Sequence, residues 1–299
     1  MNILITGSHG FIASALIPWM SAGGHNVFRL VREPVSNERE EFRWDPYKRE
    51  LNPEVFNGKD AVIHLAGESI AVGRWTESKK KNIRESRVIP TRFLAETLSM
   101  CSRPPGILIC ASAIGYYGDR GAEMLTEESP PGDDFLATVC REWETATAPA
   151  AGKGIRVVHL RFGLILSPRG GALQKLLVPF RFGVGGMLGS GKQYWSWIAI
   201  DDVVGAIMHA LVNEKVRGPV NLVTPDAITN KEFTRTLGKV LSRPTFLPAP
   251  AFALRLALGE MADALLLSSA RIEPRKLIAT GFHFKYTRLE AALQSLLKR

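Results

Sequence analysis

The chain is poor in cysteine. Cys101, Cys110 and Cys140 are the three in 299 residues, and no two form a Cys-x-x-Cys pair. Three cysteines cannot all pair with one another, which argues against a disulfide framework and for a reducing, intracellular setting. Histidine offers no metal site either. His9, His25, His64, His159, His209 and His283 contain no pair at the i, i+4 spacing of a helical zinc site, so no metal is expected. Long apolar runs are also missing. The most apolar stretch, 249–267, is interrupted by Arg255, Glu260 and Asp263, and reads as buried or amphipathic helix instead of a bilayer span. No basic segment with an apolar stretch of the secretory kind comes before Asn2, and a soluble, cytoplasmic protein is expected.

Acidic residues are the scarcer charge. There are 29 Asp and Glu against 38 Lys and Arg, a formal net charge of +9 that favours anionic partners: phosphorylated small molecules, nucleic acid or acidic membrane surfaces. The cations are scattered and no aromatic RNA-binding signature accompanies them, which sets nucleic acid aside. The expected partner is a small-molecule substrate, with no membrane partner. No sequence feature bears on oligomeric state. With 45% hydrophobic and 22% charged residues the chain is an ordinary globular one, long enough for one large domain or two intimately joined ones.

What is present is an alternation of strand-like and helix-like periods. Apolar runs at 2–6, 26–31, 61–65, 107–111 and 155–160 read as buried strands. Helical patterns follow from Phe11 through Met20, over 77–100 and over 134–148. Residues 33–59, with Pro34, Pro46 and Pro53, read as largely irregular. Continuous apolar strands alternating with helices predict a doubly wound α/β fold, a parallel sheet covered on both faces. Beyond Arg161 the rhythm changes to a glycine-rich segment, a helical stretch near 172–182, strands near 195–200 and 219–222 around a helix over 201–212, and a mostly helical remainder. The expected division is a nucleotide-binding domain over 1–162, with 196–224 returning to it, and a smaller substrate-binding lobe from 163–195 and 225–299.

The first chemical signal is Thr6-Gly7-Ser8-His9-Gly10-Phe11-Ile12-Ala13. Glycines directly after a strand let the backbone turn sharply against a pyrophosphate, and the following helix presents free N–H groups to it. The spacing is Gly-x-x-Gly-x-x-Ala, with Ala13 as the small residue for helix–strand packing. At the end of the second strand Val31 stands where an acid would grip a ribose 2′-hydroxyl, and Arg32 follows it, with Arg29 two residues before. A cation there accommodates a 2′-phosphate, so NADP(H) is the expected cofactor. Glu33 precedes Pro34 and is expected to turn away.

Several further stretches occur in a telling order: Val62-Ile63-His64-Leu65-Ala66-Gly67, Ser86-Arg87-Val88, Ser112-Ala113-Ile114-Gly115-Tyr116-Tyr117-Gly118, Trp143-Glu144, Arg161-Phe162-Gly163, Gly189-Ser190-Gly191, Trp197-Ile198 and Asp201-Asp202. Together with the opening turn they resemble the extended and atypical short-chain dehydrogenase/reductases. More narrowly, they resemble the epimerase family proteins within the NAD-dependent epimerase/dehydratase-like group, expected to be NADP-dependent oxidoreductases. The resemblance implies that Thr6, Gly7, Gly10, Phe11 and Ile12 form the pyrophosphate turn and that Arg32, with Arg29, serves the 2′-phosphate. It further implies that Leu65, Ala66 and Gly67 line the adenosine–ribose channel. Lys81 and Ser86 would face the cofactor from the long helix, and Arg161 would lie near the nicotinamide. His64 reads as a packed residue.

The catalytic positions depart from that family's pattern. Standard members carry a Ser or Thr that polarises the substrate oxygen, a Tyr that transfers its proton, and a Lys four residues further that lowers the Tyr pKa. Here one register puts Leu136 and Cys140 at the Tyr and Lys positions, and the other puts Phe135 and Val139 there. Ala113 stands at the Ser position, one residue after Ser112. Ser112, Tyr116 and Tyr117 are the remaining candidates, with one of the two tyrosines expected to pack beneath the loop. Trp195 and Trp197 read equally as ligand-stacking or as packing residues, and Asp201 and Asp202 as a helix cap. The leading expectation is an NADP(H)-dependent oxidoreductase acting on a small carbonyl, alcohol or sugar-like substrate. The alternatives are a nucleotide-sugar epimerase and a non-catalytic NADPH-binding sensor or assembly factor.

Overall fold

The computed structural model describes residues 1–298. Its centre is a seven-stranded sheet of β1 (Asn2–Thr6), β2 (Asn26–Val31), β3 (Glu41–Arg43), β4 (Ala61–His64), β5 (Ile107–Ala113), β6 (Arg156–Phe162) and β7 (Gly218–Leu222). The strand order is β7-β6-β5-β4-β1-β2-β3, and every neighbouring pair is parallel. The order reverses between β1 and β4, which opens a crevice at the carboxyl ends of these two strands.

Alternation of side chains gives the sheet two apolar faces. Ile3, Ile5, Ile63 and Ile109 point to one face, where they meet Leu16 and Met20 of α1 (Phe11–Ala22) and Ile207 of the later helix Ile200–Val212. Leu4, Val62 and Leu108 point to the other, against Phe93, Leu94 and Leu98 of α2 (Glu77–Met100). Thr76 caps α2 by accepting the N–H of Lys79. α3 (Phe135–Thr145) is capped in the same way by Asp134, which accepts from Ala137.

The second half adds α4 (Gly171–Arg181), α5 (Ile200–Val212), α6 (Asn230–Leu241), α7 (Ala251–Leu258) and α8 (Leu289–Leu297). The apolar period places most of these elements to within a residue or two. The irregular segment 33–59 nevertheless contains β3, a strand of three residues held beside β2 through Leu30↔Phe42 and Val31↔Arg43. Asp201 and Asp202 lie in the first turn of α5 and do not cap it. The Asp202 carboxylate instead accepts the N–H groups of Lys285 and Tyr286, which fastens the carboxyl-terminal segment to the helix. Among the described residues no helix is long and apolar enough to cross a membrane.

Candidate active site

The crevice is built first by the turn between β1 and α1. Gly7 has φ +68°, and a Cβ there would lie 2.8 Å from both the Ala66 nitrogen and the Leu65 carbonyl carbon. Only glycine serves a left-handed position pressed against a neighbouring strand's backbone. The Gly10 N–H donates to the Gly7 carbonyl at 2.9 Å, and α1 then begins with no side chain capping it. Its first N–H groups therefore face the crevice with the positive end of the helix dipole behind them. Ser8 is buried, and its Oγ has no hydrogen-bond partner. A buried hydroxyl without a partner, beside a bare helix start, is a donor set that suits a pyrophosphate. The ring of Phe11 rests on Gly170, where a Cβ would approach it to 2.5 Å.

Beneath the turn the polar groups are satisfied. Thr6 Oγ1 lies 2.6 Å from His64 Nδ1, His64 Nε2 lies 2.8 Å from Thr91 Oγ1, and the Trp143 indole N–H donates to that same hydroxyl at 2.9 Å. Burial pushes the His64 imidazole down to about 4, so it is neutral and packed. The Thr6 hydroxyl belongs to this chain of bonds. What Thr6 offers the crevice is backbone.

On the adenosine side Val31 is buried and Arg32 is exposed. The Glu33 carboxylate folds back onto the chain. Its own N–H, the Arg32 N–H at 3.2 Å and the charges of Arg32 and His9 hold it below the usual carboxylate range. Arg29 is engaged elsewhere, 3.5 Å from the Glu41 carboxylate. Leu65, Ala66 and Gly67 run out of β4 across the floor of the crevice. The following segment is tied to α2, where Ser86 Oγ accepts the Glu68 N–H and Arg87 donates to the Glu68 carbonyl at 2.9 Å. Lys81 is not brought to the crevice. It lies on the solvent face of α2, 3.9 Å from Glu85. Two cations of α2 do reach the segment after β4: Lys79, paired with the Glu68 carboxylate, and Arg87, half-buried with its guanidinium 5.1 Å from the Trp143 ring centre.

The nicotinamide side is a closed polar network. Ser112 Oγ donates to Glu144 Oε1 at 2.7 Å, and Arg161 binds both oxygens of the same carboxylate at 2.8 Å. The third Arg161 nitrogen donates to the Tyr117 hydroxyl at 2.9 Å, which donates in turn to Asn221 Oδ1 at 2.7 Å. Burial works against the Arg161 charge, but the Glu144 carboxylate more than offsets it and holds the guanidinium well above its ordinary range. Burial likewise pushes the Tyr117 hydroxyl up to about 12, against the pull of Arg161.

Tyr117 is thus the tyrosine that packs beneath the loop. Tyr116 is half-buried, its ring centre 3.5 Å from the Arg161 guanidinium carbon, and among the described residues nothing hydrogen-bonds its hydroxyl. Leu136 packs on Gly115, and Cys140 is buried with its thiol pushed up to about 12 by burial. Trp197 is fully buried with its indole N–H on the Asp226 carbonyl, and Trp195 packs edge-on against Phe233 at 5.2 Å. Both tryptophans are packing residues. Glu144 stands in the sequence only as part of the Trp143-Glu144 stretch, and nothing there singles out Asn221, yet both are members of this network.

A doubly wound parallel sheet, a glycine turn onto an uncapped helix and a crevice at the strand-order reversal define a dinucleotide-binding protein of the extended short-chain dehydrogenase/reductase type. The NAD dependent epimerase/dehydratase family model matches residues 3–222, and a domain of unknown function matches residues 249–296. The chain belongs to the NAD dependent epimerase/dehydratase family. It is 42% identical over 293 residues to an epimerase family protein of Mycobacterium tuberculosis, covering 97% of this chain and 96% of that one. The crystal structure of human epimerase family protein SDR39U1 with NADPH is 34% identical, with a TM-score of 0.92 over 100% of both chains. A nucleoside-diphosphate sugar epimerase from Corynebacterium glutamicum is 40% identical, with a TM-score of 0.82 over 99% of this chain and 58% of that one.

Proposed function

We propose that the protein is an NADP(H)-dependent oxidoreductase acting on a small carbonyl, alcohol or sugar-like substrate. The observation that carries the cofactor reading is the unpartnered Ser8 hydroxyl beside the bare start of α1, in a turn that only glycine at position 7 permits. Its fit to a dinucleotide agrees with the NADPH of the human relative's structure. Gly7–Gly10 and the first N–H groups of α1 hold the pyrophosphate, and the exposed Arg32 takes the 2′-phosphate. When bound, the nicotinamide donates or accepts a hydride. Residues 163–195 and 225–299 supply the substrate side.

The catalytic reading rests on Tyr116. Its open hydroxyl donates a proton to the substrate oxygen, while the Arg161 guanidinium against its ring favours the anion left behind. Ser112, donating to Glu144, and Tyr117, held between Arg161 and Asn221, position this group and do not touch substrate. Calorimetry is expected to give tighter binding of NADPH than NADH, and Arg32→Asp to narrow the gap by roughly tenfold or more. Equal affinities in the unmodified protein overturn the NADP preference. In a screen of carbonyl substrates followed by nicotinamide absorbance, Tyr116→Phe is expected to lower turnover by about 10²-fold with NADPH affinity unchanged. Full activity of that variant overturns the proton-donor role.

A second reading, nucleotide-sugar epimerisation, is supported by the name of the Corynebacterium neighbour. An epimerase retains its cofactor through each turnover. Cofactor that survives dialysis, with a sugar centre inverted and no net NADPH consumed, favours it over the oxidoreductase.

A further inference from the structure

The helical part of the most apolar stretch of the sequence is only partly covered by the fold. α7 has no buried residue, and Phe252 and Leu256, one turn apart on it, are 73% and 77% exposed. The segment after α4 runs beside the one before α7: Gly186 pairs with Phe246, Leu188 pairs with Ala249, and the Gly189 N–H donates to the Ala249 carbonyl at 2.9 Å. These two segments add Phe182 at 80% exposure and Phe246 at 74%, with Val184 and Leu247 exposed beside them. Exposed apolar side chains gathered on adjoining segments in this way are uncommon on a chain that meets only water.

A cavity of about 210 Å³ adjoins that face and shares Phe246 with it as a wall. Lys231 and Arg235 line it with Thr234 and Thr245, and no carboxylate does. Arg181 and Arg243 are exposed on the same two segments. The carboxylates that follow α7 are already engaged, Glu260 with Lys80 and Asp263 with Arg255. The face is therefore apolar at its centre and cationic at its edge, on a chain of net charge +9.

We propose that this face docks on an anionic lipid bilayer, with Phe182, Phe246, Phe252 and Leu256 entering the interface and the Lys231–Arg235 cavity receiving a lipid phosphate. Apolar insertion combined with basic side chains is what peripheral binding to an acidic membrane requires. A second copy of the chain is the poorer occupant, because a two-fold contact would set the same cationic rim against itself. The inference replaces the expectation of no membrane partner. It is independent of the cofactor reading, since none of these residues belongs to the glycine turn or to the Arg161 network.

The test is co-sedimentation of the full chain with vesicles of phosphatidylcholine alone or mixed with phosphatidylglycerol. Binding is expected only to the anionic vesicles, and to weaken as salt is raised. Phe252→Glu with Leu256→Glu is expected to lower the partition coefficient by roughly tenfold or more. Lys231→Glu with Arg235→Glu is expected to remove the preference for anionic lipid. None of the four residues lies in the glycine turn, and NADPH affinity equal to the parent's reports that each variant is folded. Protein that stays in the supernatant with both vesicle types overturns the proposal, as does binding that neither double variant reduces. A dimer in sedimentation velocity that the α7 variant dissociates, with no vesicle binding, assigns the face to a second copy instead.

Discussion

The glycine turn and the Arg161 network stand at the same carboxyl edge of one sheet, yet they treat their polar groups in opposite ways. In the turn, the Ser8 hydroxyl and the first N–H groups of α1 are left for something else to satisfy. In the network, Ser112, Glu144, Arg161, Tyr117 and Asn221 satisfy one another across three strands and a helix. An open donor set is a place for a ligand. A closed one is a wall, here at the carboxyl ends of β5, β6 and β7. The lesson is that the polar groups at the ends of β5, β6 and β7 bond to one another, while the Tyr116 hydroxyl has no partner among the described residues.

The contrast can be broken most forcefully at Arg161, whose side chain is 3% exposed. Arg161→Leu leaves the Glu144 carboxylate buried without its cation, and is expected to lower stability by about 3–5 kcal/mol in urea unfolding. Adding Glu144→Leu should restore much of that loss. If the single variant unfolds like the parent, the network is not holding this edge together.

At the turn, Gly7→Val combines a φ of +68° with a Cβ 2.8 Å from the β4 backbone. The expected result is a stability loss of about 2–3 kcal/mol and NADPH affinity lower by roughly 100-fold, read by calorimetry. An unchanged affinity would mean that the turn does not carry the pyrophosphate.

The floor under the turn is tested by pH. His64 has its pKa lowered from 6.5 to about 4 in the folded chain, so the unfolded chain takes up its proton first as pH falls. Stability from this group is complete above pH 6.5, declines between 6.5 and 4, and amounts to about 3 kcal/mol over that window. Urea midpoints at pH 7 and pH 4.5 should show a smaller difference in His64→Gln than in the parent. The smallest effect is expected at Cys140. Cys140→Ala removes one buried sulfur at a cost of about 1 kcal/mol and leaves NADPH affinity as it was.

Legibility followed sequence distance. Strands β1, β2 and β4 and helix α2 were readable because each is a local apolar period ended by glycine, proline or a capping residue. The turn was readable because its chemistry lies within eight consecutive residues. β3 was not, since three residues among prolines make no period, and its stability comes from pairing with β2. The network was not either, because Arg161 finds Glu144 on a helix 17 residues earlier and Tyr117 finds Asn221 across 104. No spacing rule links such positions. The apolar character of 249–267 was plain in the sequence. That Phe252 and Leu256 face outward while Met261 and Ala262 are buried depends on what the rest of the fold leaves uncovered.

The bond from Tyr117 to Asn221 also bears on how the chain is made. Asn221 belongs to β7, the last strand of the sheet to leave the ribosome, and its own N–H is taken by the Glu127 carboxylate at 3.1 Å. Until residue 221 has been synthesised, β6 is a bare parallel edge, the Tyr117 hydroxyl lacks its acceptor and the Glu127 carboxylate lacks the Asn221 N–H. The nucleotide turn, by contrast, is assembled from β1, α1 and the end of β4, and its parts are all present once Gly67 has been made. A nascent chain of this design gains its cofactor-binding half early and completes its interior late, during the interval in which an unpaired strand edge is most open to mispairing.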